Sequence, residues 1–127
     1  MKADRYQELI KVRGWQVSPN EIEEVLLMHP SIVDTAVVGV RRVGTDSEDE
    51  LPRAYIVISK QVPVKVDHLE VTKFVQDRLS SFKALEGGVE FVDSIPRSHS
   101  GKIMRDELRE RAMLTIATSL HEAEKQM

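Results

Sequence analysis

Apolar residues change their period several times along the chain, and each change marks an element. Positions 8–17 carry two short apolar pieces, Leu9-Ile10 and Trp15-Gln16-Val17, on either side of Arg13-Gly14. Glycine supplies the positive φ that short turns need, so a tight hairpin is predicted. Ser18-Pro19-Asn20-Glu21 then carries three helix-start signals: Ser as N-cap, Pro at the first position and Glu three residues on as a capping box. This helix is expected to bury Ile22, Val25, Leu26 and Met28 on one face and to end at Pro30. Positions 32–40 are rich in Val and alternate poorly, the pattern of a strand covered on both faces.

Positions 44–50 (GTDSEDE) read as an acidic, solvated loop. Leu51-Pro52 opens a second strand over 54–59, with proline tolerated at a strand's beginning. Asp67 caps a second helix, whose Val71, Phe74, Val75, Leu79 and Phe82 fall on one stripe. Positions 83–88 turn the chain into a last, central strand at 89–95. Met104, Leu108, Ala112, Ile116 and Leu120 sit four apart on a final helix that frays toward Met127. The order hairpin, helix, strand, strand, helix, strand, helix predicts an α+β fold: a small mixed sheet with an N-terminal β-hairpin and helices packed on it.

Composition narrows the function classes. At 127 residues the chain reads as one domain, 1–127, with a single modest core. Apolar residues make up 41 % and charged residues 31 %, the balance of a globular chain. A formal net charge of -3 argues against nucleic acid held by general basicity. No apolar run approaches the ~18 residues of a membrane span, and the N-terminus has no secretory core segment. With no Cys there is neither a disulfide framework nor thiolate chemistry. Together these point to a cytoplasmic location. His29, His68, His99 and His121 lack metal-ligand spacing, so no metal site is expected.

The candidate chemistry lies in Ile95-Pro96-Arg97-Ser98-His99-Ser100-Gly101-Lys102-Ile103-Met104-Arg105. One Lys sits on a short Pro/Ser/Gly loop before a helix with a basic first turn. Such a loop can carry an ammonium to a phosphate or carboxylate held elsewhere. The bland alternative is a solvated Lys, but a cation at a helix start is disfavoured by the helix dipole, which points to another use. No glycine stands four positions before Gly101-Lys102, and Ile103 replaces the hydroxyl residue of a nucleotide P-loop. Ser98, His99 and Ser100 are too close in sequence to build a triad.

Many pieces in order resemble the C-terminal domain of the adenylate-forming superfamily, which includes acyl- and aryl-CoA synthetases, peptide-synthetase adenylation domains and beetle luciferases. They are Asp4-Arg5, then Glu8-Leu9-Ile10-Lys11-Val12-Arg13-Gly14-Trp15-Gln16-Val17-Ser18-Pro19, Glu21 with Glu24, and His29-Pro30. Ala36-Val37-Val38-Gly39-Val40, Glu50-Leu51-Pro52-Arg53-Ala54, Phe91-Val92-Asp93, Ile95-Pro96-Arg97 and Ser100-Gly101-Lys102 follow. The Ile10-to-Pro19 wording looks closer to the acyl/aryl-CoA ligases than to the peptide synthetases.

The resemblance implies a mobile domain: positions 1–7 a hinge remnant with Asp4 and Arg5 at the hinge, 8–111 the core and 112–127 a helical extension. It implies two half-reactions, in which a carboxylic acid and ATP give an acyl-adenylate and CoA then displaces AMP. Lys102 would serve adenylation. After domain rotation, Lys11 would face the site with Gly14 lining the pantetheine passage, and Arg13 and Lys83 near CoA. ATP and CoA would be substrates of the complete enzyme, and Mg2+ would come with ATP on a large N-terminal domain supplied in cis or trans. The isolated chain would be inactive. Two alternatives stay open: a stand-alone, non-catalytic interaction or regulatory module, and a domain loading a carrier-protein phosphopantetheine. Trp15 reads as a core or interface anchor rather than a substrate platform.

Overall fold

The computed structural model describes residues 9–41, 48–61 and 65–125, with side chains described up to position 117. The hinge residues Asp4 and Arg5 and most of the acidic loop lie outside the described residues. The chain forms β1 (Ile10–Val12), β2 (Trp15–Val17), α1 (Pro19–Leu26), β3 (Ile32–Arg41) and β4 (Glu50–Ile58). There follow α2 (His68–Gln76), a 3-10 turn (Ser81–Lys83), β5 (Val89–Phe91) and α3 (Arg105–Lys125). β1 and β2 make the antiparallel hairpin, and β3-β4-β5 make a mixed sheet, β4 antiparallel to β3 and parallel to β5. This is the α+β architecture expected.

Alternation along the central strands divides the interior into two cores. Val37, Ala54 and Ile56 face Ile10, Val12 and Val17 of the hairpin, Ile22 and Leu26 of α1, and Val71 and Val75 of α2. Ala36, Val38, Val40 and Tyr55 face the other way, toward Leu108 and Ala112 of α3. The sheet is thus covered on both faces, which is why β3 shows no simple apolar–polar alternation. Tyr55 fixes α3 to the sheet by donating its hydroxyl to Leu108 O at 3.1 Å.

Several expectations need correction. Ser18 occupies the N-cap of α1 with Pro19 following, but its side chain makes no capping hydrogen bond. The Glu21 carboxylate is engaged by Lys83 instead, 2.7 Å away, so no capping box closes. α1 stops at Leu26, short of Pro30, and Met28 lies beyond it, 68 % exposed. Glu23 is buried in α1, while Val25 is only half-buried. Leu79 and Phe82 lie past the end of α2 and still pack on the first core. Asp67 caps α2 as expected, accepting from Glu70 N at 2.9 Å.

Glu50 belongs to β4 rather than to the acidic loop, and Pro52 sits inside that strand opposite Gly39. Proline is tolerated there because Pro52 O accepts from Gly87 N, which shows that this residue's backbone polar groups face away from β3. The ladder to β5 begins only at Ala54. β5 is a three-residue edge strand, not a long central one. The final helix begins at Arg105, so Met104 precedes it and is 43 % exposed. Arg105 itself is buried, and the first turn of α3 carries Asp106 and Glu107, so the basic first turn expected from sequence is not formed.

Candidate functional site

Lys102 stands on a hairpin loop closed by an isolated antiparallel bridge between Arg97 and Ile103. Ser98 N donates to Lys102 O at 2.9 Å, Gly101 N to Ser98 O at 2.9 Å, and Met104 N to Pro96 O at 2.9 Å. The Lys102 N–H donates to Ser98 Oγ at 3.2 Å, and Ser98 Oγ lies 3.0 Å from Ser100 Oγ. Gly101 has φ +88°, a conformation that few side-chain-bearing residues adopt. The serines and glycine of the motif therefore have a local purpose: they satisfy the loop's backbone from within. Lys102 remains exposed on the leaving leg of the loop, one residue before the bridge, beside a depression of about 250 Å³ that Ser98, Ile103, Met104 and Asp106 help to line.

Both legs of the loop are mounted on the sheet. On the entering side, Arg97 donates one guanidinium nitrogen to Gly101 O at 2.9 Å and another to Asp34 Oδ1 at 2.8 Å. On the leaving side, Arg105 reaches Glu23 Oε2 at 2.6 Å, Val37 O at 2.8 Å and Asn20 Oδ1 at 3.1 Å. Glu23 Oε2 in turn accepts from Val37 N at 2.8 Å. Val37 has both backbone groups on the side of β3 away from β4. The buried ion pair thus satisfies the open sheet edge there as well as its own charges.

A second cluster surrounds the N-terminal hairpin. Arg13 (φ +48°) and Gly14 (φ +85°) both adopt left-handed conformations, the signature of a type I′ turn whose twist matches the flanking strands. Lys11 is exposed, and its backbone N–H donates to Glu50 Oε1 at 3.1 Å, tying β1 to the start of β4. Lys11, Gly14, Gln16, Glu48 and Asp49 line a depression of about 230 Å³. Arg13 makes a long, exposed contact to Glu86 at 3.5 Å.

Trp15, 59 % exposed, stacks on Phe82 with ring centroids 4.9 Å apart and an interplanar angle of 14°. Lys83 lies 5.5 Å from the Phe82 ring while its ammonium is held by Glu21. Trp15 therefore anchors the hairpin on the 3-10 turn from the surface rather than from within the core.

The sequence-derived site residues fall into these two places. Lys11, Gly14 and Arg13 share the hairpin, and Lys83 lies behind it through the Trp15–Phe82 stack. Lys102 lines a depression that has no residue in common with theirs. Among the described residues no group of three or more His, Asp or Glu gathers as a metal site, and no helix is long and apolar enough to cross a membrane.

Sequence reasoning missed Glu23, Asp34, Arg97 and Arg105 as the mounts of the Lys102 loop. One signal was present: Arg105 stands three residues before Leu108 on the stripe that continues through Ala112 and Ile116, so a cation was placed on an apolar face.

Comparison with known proteins bears on the fold and the family. The chain is 50 % identical over 109 residues to a putative acyl-coenzyme A synthetase of Emericella nidulans, covering 86 % of this chain and 19 % of that protein. It is 48 % identical over 108 residues to a phenylacetyl-CoA ligase of Aspergillus niger, covering 85 % and 19 % respectively. The crystal structure of ATP-bound MatB from Rhodopseudomonas palustris superposes with a TM-score of 0.73 at 30 % identity, over 84 % of this chain and 20 % of that one. The chain spans about a fifth of the length of these relatives. The profile of one family matches residues 21–102, from the first turn of α1 through the exposed lysine, and by that match the chain belongs to the AMP-binding enzyme C-terminal domain family.

Proposed function

We propose that this chain is the mobile C-terminal domain of an ATP-dependent carboxylic acid–CoA ligase, working against a large N-terminal domain that holds ATP and the acid. Lys102 supplies the cation for adenylation. That step drives an anionic carboxylate against an anionic α-phosphate, and charge accumulates on the phosphoryl oxygens as the new bond forms. An ammonium held in place in a closed, water-poor cleft offsets the repulsion and needs no reorganisation at the moment of reaction. The observation that carries this reading is an exposed Lys102 on a loop whose own backbone groups are bonded within it and whose two legs are fixed to β3.

The same ammonium would obstruct the second step, in which the CoA thiol must reach the same carbonyl. A rotation about the hinge at Asp4 and Arg5 removes it and brings up the hairpin face, with Lys11 at the site, Gly14 along the pantetheine passage, and Arg13 and Lys83 toward the nucleotide end of CoA. Two depressions with no residue in common suit such a division of labour. The names of the relatives, a CoA synthetase and a CoA ligase, and the ATP held by MatB, support ATP and CoA as the substrates.

The test joins this chain to the large domain of a related acyl-CoA ligase and measures each half-reaction alone. Lys102→Ala is expected to slow acyl-adenylate formation by ~10²–10³-fold, the scale of losing one transition-state charge partner. Thioester formation from preformed acyl-adenylate should stay within about twofold, since that step does not use the lysine. Adenylation at the parent rate would overturn the assignment, and equal loss in both steps would overturn the two-face arrangement.

A further inference from the structure

The peptide that joins Gly101 to Lys102 has both of its polar groups taken. Its N–H, which belongs to Lys102, donates to Ser98 Oγ at 3.2 Å. Its carbonyl, Gly101 O, accepts from Arg97 at 2.9 Å. Arg97 is not left to choose its own orientation, because its second terminal nitrogen donates to Asp34 Oδ1 at 2.8 Å. Asp34 is fixed in its turn: the same Oδ1 accepts from Thr35 N at 2.9 Å, at the point where the β3–β4 register shifts between Ile32 and Asp34. A continuous chain of bonds therefore runs from the sheet, through Asp34 and Arg97, to the peptide plane that sets where the Lys102 Cα–Cβ bond points.

We infer that Arg97, oriented by Asp34, is a positioning residue for Lys102: it fixes the Gly101–Lys102 peptide plane and so aims the ammonium. The inference rests on the reading of Lys102 given above and adds a residue to it. Arg97 is suited to the task by geometry. A planar guanidinium can serve two acceptors along fixed directions at once, where an ammonium cannot reproduce the fork. Arg97 and Asp34 are 39 % and 33 % exposed, so their pair contributes little to the stability of the fold. An exposed pair that contributes little to folding yet completes the bonding of one loop peptide acts on where that loop points. Misplacing a reacting group by ~1 Å can cost about a hundredfold in rate, so a small tilt of this plane has a measurable consequence.

Two readouts test the proposal. In the 127-residue chain itself, Arg97→Ala should lower the ¹⁵N order parameters of the Gly101 and Lys102 amides from about 0.85 toward 0.6. The melting temperature should hardly move. Unchanged order at those two amides overturns the proposed hold on the loop. In the chain joined to a large domain, Arg97→Ala should slow adenylation by ~10–100-fold through kcat, with the KM for ATP and the thioester half-reaction unchanged. Arg97→Lys should behave like Arg97→Ala, and Asp34→Asn, which keeps an acceptor oxygen, should lose less.

In a Lys102→Ala background, Arg97→Ala should cost nothing more, because its effect passes through the lysine. If Lys102→Ala slows adenylation and Arg97→Ala stays within about twofold of the parent, Arg97 does not position the lysine. If Lys102→Ala itself leaves adenylation intact, the reading of Lys102 falls, and with it the aim of the ammonium as a catalytic variable. The order parameters still decide separately whether Arg97 holds the peptide.

Discussion

Glu23 and Arg105, 82 residues apart in sequence, meet at 2.6 Å at the open edge of β3, and each also bonds one backbone group of Val37. Both side chains are about nine-tenths buried. The pair joins α1, the sheet and the start of α3, and so determines where the chain leaves the Lys102 loop. Removing one partner would leave a charge and a strand-edge group buried without compensation. Glu23→Ala is therefore expected to lower unfolding stability by ~3–5 kcal/mol in urea titration. Replacing both residues by apolar ones of similar volume should not restore the parent value. The N–H and C=O of Val37 would still lack partners, at ~1–3 kcal/mol each. Full recovery in the double variant would show that water satisfies that edge unaided.

That pair also marks where sequence reading stopped. The two-sided burial of β3, the Asp67 cap and the Arg13-Gly14 turn were legible because each depends on residues close together in sequence. Glu23 and Arg105 were not, because their burial becomes favourable only when two distant elements supply opposite charges to one strand edge. Met28 is exposed for a related reason: the helical spacing that would bury it holds only to Leu26, where the helix ends. Lys102 was visible as a loop lysine between Gly and Ile, but nothing local indicates that Asp34 would orient the arginine five positions before it.

Tyr55 gives a pH dependence with a definite sign. Its ring is fully buried, and burial pushes its phenol above the usual value near 10, against a smaller opposite effect from the Arg53 hydrogen bond. A group whose folded-state pKa is raised holds its proton more tightly in the folded form. Its contribution is therefore complete below the unfolded value and is lost as pH rises through the folded one. Stability should fall above pH ~10 as the unfolded chain releases the proton. Tyr55→Phe should flatten that limb in alkaline denaturation while loosening α3, since the phenol's bond to Leu108 O is lost. An alkaline limb unchanged in the phenylalanine variant would assign the dependence to other groups.

Gly14 separates a backbone requirement from a functional one. A Cβ built there meets no atom within 4 Å, so Gly14→Ala has room for its methyl group and strain only from φ +85°. The expected stability loss is ~1–2 kcal/mol, the cost of a left-handed conformation for a residue with a side chain. In the chain joined to a large domain, the proposed pantetheine passage predicts more: slower thioester formation with adenylation spared, the mirror image of Lys102→Ala. Stability loss of the expected size with both half-reactions intact would reduce Gly14 to a turn residue.

Lys83 has two possible uses, and one pair of variants separates them. Its ammonium is held by Glu21 at 2.7 Å and its side chain is 18 % exposed, which suits a tie between α1 and the 3-10 turn. The proposed second face asks it to approach the phosphates of CoA. Lys83→Met keeps the apolar stem near Phe82 and removes the charge, whereas Glu21→Gln leaves the charge and weakens its tether. If the ammonium serves CoA, Lys83→Met raises the KM for CoA several-fold, about the effect of one exposed charge contact. Glu21→Gln then leaves that KM unchanged or lowers it, because a released cation is freer to reach a phosphate. If the tie is the whole role, both variants lose the same small increment of stability, ~1 kcal/mol or less, and neither changes the KM for CoA. We expect the first outcome. Equal behaviour of the two variants in CoA titrations of the joined enzyme would leave Lys83 as a structural residue.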